Sequence, residues 1–285
     1  MALIECDHLS HVYMQGTPLE TVALEDVTLA IDEGDVIGLI GPTGSGKSTL
    51  VQHFNGLLRP TSGSVRAAGV DLAAKDADLR RVRRQVGLLF QFPEYQLFEE
   101  TVASDVAFGP RNLGLPDDEV RERVDDALAL VGLDPAAYGT RSPFSLSGGE
   151  MRRVAIAGVL AMGPKVLVLD EPAAGLDPRG KEEILGQIRT LQQERGLTVV
   201  LITHSMDEAA QMARRLVVLN RGRVFLDGPV RAVFEQAAEL RSIGLDVPAV
   251  PQLMRRLKSH GLDVRTDLLT VDEARAEILG VLEWN

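Results

Sequence analysis

The stretch "VIGLIGPTGSGKSTL", Val36–Leu50, decides how the rest of the chain is read. It passes from a short apolar run, the signature of a buried strand, into a glycine-rich turn and then a helix. Within it, "GPTGSGKST" matches G-x-x-x-x-G-K-[ST] in the strand-to-helix setting that gives this spacing its meaning. Gly41, Gly44 and Gly46 let backbone N–H groups curl round a polyphosphate, and the helix N-terminus adds positive potential. The expected ATP-binding residues are therefore Gly41, Pro42, Thr43, Gly44, Ser45, Gly46, Lys47, Ser48 and Thr49. Lys47 would reach the β and γ phosphates, and the Ser48 hydroxyl would bind Mg²⁺.

Upstream, "TVALEDVTLAID" reads as two alternating strands ending in a turn at Glu33-Gly34. Downstream, "KVLVLDEP" and "LTVVLITHS" are further apolar strands, separated by helical patterns such as "KEEILGQIRTLQQERG". Continuous apolar strands alternating with helices predict an α/β fold with a mostly parallel sheet covered on both faces. Such sheets bind ligands at strand C-terminal ends, where Asp170, Glu171 and His204 fall. Asp170 would hold Mg²⁺, usually through water, and Glu171 would polarise the water that attacks the γ-phosphate. Residues 91–163 change to helices punctuated by proline and glycine, an inserted helical subdomain. The expected division is a nucleotide-binding domain over 1–235 and a C-terminal appendage of short amphipathic helices over 236–285. With no obvious core of their own, those helices are read as a dimer contact.

The formal charge of −11 argues against binding to a nucleic-acid backbone. Arg80, Arg81, Arg83 and Arg84 form the basic run, read as a solvated helix face with a phosphate or headgroup patch as the alternative. Cys6 is the single cysteine, which fits a reducing compartment. The N-terminus "MALIECDHLS" carries no secretion signal, and no uncharged apolar run approaches the ~20 residues needed to span a bilayer. A membrane role is expected only through a partner.

"LSGGE", Leu146–Glu150, contains S-x-x-E. This is a capping box opening the helix "MRRVAIAGVLA", so free N–H groups point outward from Ser147, Gly148 and Gly149 toward an anion. The phosphate loop, Gln91 after a strand, this LSGG-type signature, the DE-terminated strand, "AGLDP" and the late His204 together resemble an ABC-transporter ATPase. The resemblance implies the P-loop ABC-ATPase fold, ATP and Mg²⁺, and Gln91 as a sensor of Mg²⁺ and γ-phosphate. It implies that Ser147, Gly148, Gly149 and Glu150 meet the ATP of a second subunit, with Asp177 bridging the two. His204 would contact the γ-phosphate, a role that an isolated histidine would not suggest. Tyr13 occupies the place of the aromatic that stacks on adenine, with core packing as the alternative. Two departures stand out: Glu150, where glutamine is usual, and Ala173, where a hydroxyl is common.

"QFPEYQLFEETV", Gln91–Val102, concentrates aromatic residues in a chain with only eight phenylalanines, three tyrosines and one tryptophan. With "ASDVAFGPRNLGL", "DEPAAGLDPRG" and "GLDVPAVPQLMRRLKSHG", it resembles the energy-coupling factor group more closely than ordinary importers. That resemblance implies a similar or identical ATPase partner, a transmembrane scaffold, a substrate-binding membrane subunit, and uptake of vitamins or transition-metal ions. It also implies a peripheral place on the cytoplasmic face of the cell membrane. Phe92, Tyr95 and Phe98 would contact the scaffold, unless Phe90 and Phe92 are buried in the core. An ordinary ABC importer ATPase, for amino acids or metal ions, shares every catalytic motif. A soluble ABC ATPase usually carries two cassettes or a coiled-coil insertion, and neither pattern is present.

Overall fold

The computed structural model describes residues 2–283; Trp284, which ends the last expected helical pattern, lies outside them. The strands run, in chain order, as β1 (Ala2–Tyr13), β2 (Thr21–Asp32), β3 (Val36–Ile40), β4 (Ser62–Ala67), β5 (Val70–Asp71), β6 (Val86–Leu89), β7 (Val166–Asp170), β8 (Thr198–Ile202), β9 (Arg215–Asn220) and β10 (Arg223–Pro229). The chain divides into two compact units, one up to Asp35 with Ser48–Val200, the other Val36–Lys47 with everything from Leu201 onward.

In the first unit β2-β1-β4-β5 form a sheet in which β1 pairs antiparallel with both β2 and β4. The sequence reads two strands in "TVALEDVTLAID", yet β2 is one strand. Leu24 is buried on an even position, whereas Val27, Leu29 and Ile31 are buried on odd ones. Between them Asp26 sits at φ 58°, opposite register shifts in β1. This is a bulge: it switches which parity faces the core without breaking the pairing. Cys6 is buried in β1, and burial pushes its thiol up to about 12, so it is a packing group and not a nucleophile.

The same unit holds the parallel pair β6–β7, with the start of β8 beside β7. All three strands are buried along their whole length, as strands covered on both faces must be. Residues 91–163 hold a 3₁₀ turn over Pro93–Gln96 and the helices Val102–Asn112, Asp117–Leu130 and Gly148–Leu160, which pack on one another. Val106, Val124, Leu128, Val154 and Ala157 fill that packing. The basic run lies on the helix Leu79–Gln85, where Val82 is the buried residue and the arginines form the wet face.

In the second unit β3 pairs parallel with β9, and β9 pairs antiparallel with β10. Its core gathers Ile40, Leu216, Val218, Phe234, Leu240 and Val247. The division thus differs from the expected break at 235, because Leu240 and Val247 of the appendage share a core with β9. The helices Ala249–Ser259 and Val271–Glu283 also have a small cluster of their own, with Met254, Val264, Leu268 and Ala274 buried together. Among the described residues no helix is long and apolar enough to cross a membrane.

Candidate functional site

The phosphate loop begins where β3 ends. Gly41 has φ 155°, and a Cβ there would lie 2.2 Å from the Leu219 carbonyl oxygen, so only glycine fits. The Ser45 carbonyl accepts from Gly222 N–H at 3.1 Å, which ties the loop to the β9–β10 turn. Lys47 heads the helix Lys47–Phe54 and is buried. Its ammonium donates to the carbonyls of Gly41 (2.8 Å) and Pro42 (3.0 Å). Those bonds hold the cation over the loop, where a phosphate oxygen could replace a carbonyl as its acceptor.

In the first unit the end of β7 meets Ser48 on this helix, and the segment after β6 meets the segment after β7. The Ser48 hydroxyl donates to Asp170 Oδ2 at 3.0 Å, joining two residues 122 positions apart. Gln91 Nε2 donates to Glu171 Oε2 at 2.9 Å, linking the segment after β6 to that after β7. Ser48, Asp170 and Gln91 are the residues that would hold Mg²⁺, offering oxygen donors of the hard kind that this ion takes beside water and phosphate. Glu171 itself sits at φ 51°, a left-handed conformation that costs a non-glycine residue roughly 1–3 kcal/mol. Bearing this strain, the backbone turns sharply at the end of β7 just where the expected base must project. Ala173 is buried, so a hydroxyl at that position would need an internal partner.

The signature forms the expected capping box. The Ser147 hydroxyl accepts from Glu150 N–H at 3.4 Å and donates to Glu150 Oε2 at 2.7 Å, while Ser147 N–H donates to the same oxygen at 2.8 Å. Tyr138, which sequence reasoning missed, donates its hydroxyl to Glu150 Oε1 at 2.8 Å. The Ser147 N–H and hydroxyl, followed by Tyr138, hold the Glu150 carboxyl below the usual carboxylate range. Both carboxylate oxygens are thereby turned back onto the protein, and a Cβ added at Gly148 or Gly149 would meet nothing within 4 Å. The Glu150 carboxylate is thus spent on the capping box and on Tyr138.

Of the remaining expected residues, Asp177 caps the helix Pro178–Arg195 by accepting from Gly180 N–H at 2.7 Å. His204 is exposed, just beyond the end of β8 in the second unit. Tyr13 is 38% exposed at the end of β1, and its hydroxyl bonds Thr49 Oγ1 at 3.2 Å. Phe90 and Phe92 are also exposed, so neither is core.

A groove of about 470 Å³ opens beside the helical segment, lined by Leu97, Phe98, Phe108, Gly109, Leu113 and Met162 among others, with Arg80 and Arg83 at its edge. Phe98 and Phe108 meet edge to face at 4.8 Å. Phe92 and Tyr95 do not line it. The sequence does not mark Phe108 because it lies ten positions beyond Phe98, on a different element.

Arg152 is the other residue the sequence hides. It is 2% exposed, on the signature helix, and grips Glu94 through Nε (3.2 Å to Oε2) and Nη2 (2.9 Å to Oε1). Its Nη1 donates to the carbonyls of Pro172 (3.0 Å) and Ala174 (2.7 Å), just past Glu171. One guanidinium thus ties together the 3₁₀ turn at the groove, the signature helix and the segment after β7.

The ABC transporter family matches residues 24–174. Relatives include the energy-coupling factor transporter ATP-binding protein EcfA2 of Clostridium perfringens, 49% identical over 99% of both chains. The protein of the same name from Symbiobacterium thermophilum is 56% identical over 96% of this chain and 94% of its own. Among solved structures, cbiO1 from Clostridium perfringens, described as part of the ABC transporter complex cbiONQ, superposes with a TM-score of 0.74 at 37% identity. That superposition covers 90% of this chain and 99% of cbiO1. The dimeric ATP-binding cassette MJ0796 bound to ADP and Pi superposes with a TM-score of 0.70 at 30% identity, covering 80% of this chain and 98% of that one. With the phosphate loop, the paired acids and the signature all in place, the chain belongs to the ABC transporter ATPases, as an ATP-hydrolysing subunit of the energy-coupling factor type.

Proposed function

We propose that this chain hydrolyses Mg²⁺-ATP as one half of an ATPase pair, and that the resulting closure and release drives uptake of vitamins or transition-metal ions. The partners are a similar or identical ATPase, a transmembrane scaffold and a substrate-binding membrane subunit, with the chain peripheral on the cytoplasmic face. The observation that carries this reading is the double link Ser48–Asp170 and Gln91–Glu171, which brings hydroxyl, amide and both acids to neighbouring strand ends.

Each residue then has a task. The loop N–H groups and Lys47 hold the β and γ phosphates, and Ser48, Asp170 and Gln91 hold the metal. When bound, Mg²⁺ neutralises charge on the phosphates and orients them. Glu171 accepts a proton from the attacking water, and His204 keeps that water and the γ-phosphate in place. Gly148 and Gly149 offer their N–H groups to the nucleotide of the second subunit, Ser147 and Glu150 shape that helix end through the capping box, and Asp177 meets that subunit across the interface. Because the γ-phosphate is a contact shared by both subunits, its loss releases them.

Lys47→Ala removes the cation that faces the phosphates, and ATP affinity is expected to fall by about tenfold or more, the scale of one charge-assisted hydrogen bond in a buried site. Calorimetry with Mg²⁺-ATP checks this, and unchanged affinity overturns the phosphate-loop assignment. The groove is the docking place for the scaffold's helices. Aromatic anchors in such a groove carry much of the contact energy, so Phe98→Ala is expected to weaken co-purification with the scaffold by about tenfold or more while ATP binding persists. Tyr95→Ala, outside the groove, is the comparison. Gentle purification from membranes followed by mass spectrometry tests the partner set directly.

A further inference from the structure

Two elements bring together four side chains that the catalytic scheme does not use as a group. His11 and Tyr13 stand two apart on β1 and so face the same way; Thr49 and His53 stand four apart on one face of the helix Lys47–Phe54. They close a ring. The Tyr13 hydroxyl bonds Thr49 Oγ1 at 3.2 Å, and His53 Nδ1 bonds the Thr49 carbonyl at 2.7 Å. His53 Nε2 meets His11 Nδ1 at 3.2 Å, and the His11 ring stands edge-on to Tyr13 at 4.5 Å between centroids. His53 is fully buried, His11 is 8% exposed, Thr49 is half-buried and Tyr13 is the most exposed of the four.

The proton positions follow from the acceptors. The Thr49 carbonyl can only accept, so His53 carries its proton on Nδ1, and in the neutral ring Nε2 is left as an acceptor. His11 Nδ1 must then be the donor, shared between His53 Nε2 and the Arg59 carbonyl at 3.1 Å. This arrangement satisfies the His53–Thr49, His53–His11 and His11–Arg59 contacts with both rings neutral. A second proton on His53 would set two N–H groups against each other. The groups facing His53 are the His11 ring from β1 and the carbonyls of Thr49 and Arg59. Burial, first of all, and the neighbouring His11 push the His53 pKa down, against the raising effect of those carbonyls.

We propose that His11 and His53 are positioning residues for a purine base: as a neutral pair they brace the Tyr13 ring beside Thr49, where the base would stack. The inference rests on the nucleotide-site reading above, and it concerns base recognition alone. Tripolyphosphate, which has no base, should be indifferent to the pair.

The test is calorimetric binding of Mg²⁺-ATP and of Mg²⁺-tripolyphosphate to the full-length chain. His53→Leu and His11→Leu are each expected to weaken ATP by about three- to tenfold, the scale of one misplaced aromatic contact. Tripolyphosphate affinity is expected to stay within about twofold, and the loss should vanish when Tyr13 is already leucine, because the pair acts through that ring. If His53→Leu does not fold, His11→Leu carries the same comparison from the less buried ring. Unchanged ATP affinity, an equal loss for both ligands, or an undiminished loss in the Tyr13→Leu background overturns the proposal. A wild-type chain that binds neither ligand overturns the nucleotide site itself, and the proposal with it.

Discussion

Glu171→Gln is expected to lower ATP turnover by about a hundred- to ten-thousandfold, the range attributed to a positioned general base. The substitution keeps the shape of the side chain and replaces only its ability to take a proton. Glu171 Oε2 accepts from Gln91 Nε2, and a glutamine carbonyl oxygen can accept the same bond, so the link between the segments after β6 and β7 survives. Its backbone at φ 51° places no new demand on glutamine that glutamate does not already meet. Lys47, Ser48 and Asp170 are untouched, so ATP affinity should change by less than about threefold, under 1 kcal/mol. Steady-state phosphate release together with calorimetric ATP binding checks both halves. Because hydrolysis opens the pair, the variant should also accumulate as an ATP-dependent dimer in sedimentation. Equal turnover in variant and wild type would remove Glu171 from the role of base.

Arg152→Ala is expected to cost about 3–5 kcal/mol of stability, the range for breaking a buried ion pair by deleting one partner. Alanine would leave the Glu94 carboxylate, mostly buried, without its cation, and the carbonyls of Pro172 and Ala174 without their donor. Glu94→Gln should cost less, since the amide oxygen still accepts from the guanidinium. Arg152→Lys should fall between, because an ammonium cannot span a carboxylate and two carbonyls as a planar fork does. Urea unfolding of the three variants, compared at constant m-value, gives the order. A loss below about 1 kcal/mol for Arg152→Ala would mean that the pair is as weak as an exposed one. Since the same guanidinium holds the carbonyls next to Glu171, turnover should fall in the surviving fraction of folded Arg152→Lys as well.

Much of the site is legible in the sequence because its parts obey local rules. A glycine at 41, a lysine at 47 and a hydroxyl at 48 after an apolar run are needed within one strand, loop and helix, so their spacing alone reports them. The acids 170 and 171 end a run of buried residues, and S-x-x-E at 147–150 caps a helix within a single turn. The two-strand reading of β2 failed for a local reason too: the alternation of Leu24 against Val27, Leu29 and Ile31 truly reverses, and only its pairing with β1 shows that one bulged strand, not two, accommodates the switch.

The rest depends on residues that no spacing rule connects. Arg152 and Glu94 are 58 positions apart, His53 and His11 are 42, and Gln91 and Glu171 are 80. Tyr138 finds Glu150 from a separate short helix, and Phe98 finds Phe108 across the groove. The sequence by itself determined the local pieces: a glycine-rich loop running into Lys47 and Ser48, two acids at the end of a buried strand and a capped helix start, each set by backbone geometry over a few residues. Only the tertiary structure decided the connections, namely which cation neutralises Glu94, which hydroxyl finds Glu150 and which side chains meet Tyr13. A buried polar group must find its partner wherever the fold brings one within reach, and that distance is not written in the local pattern.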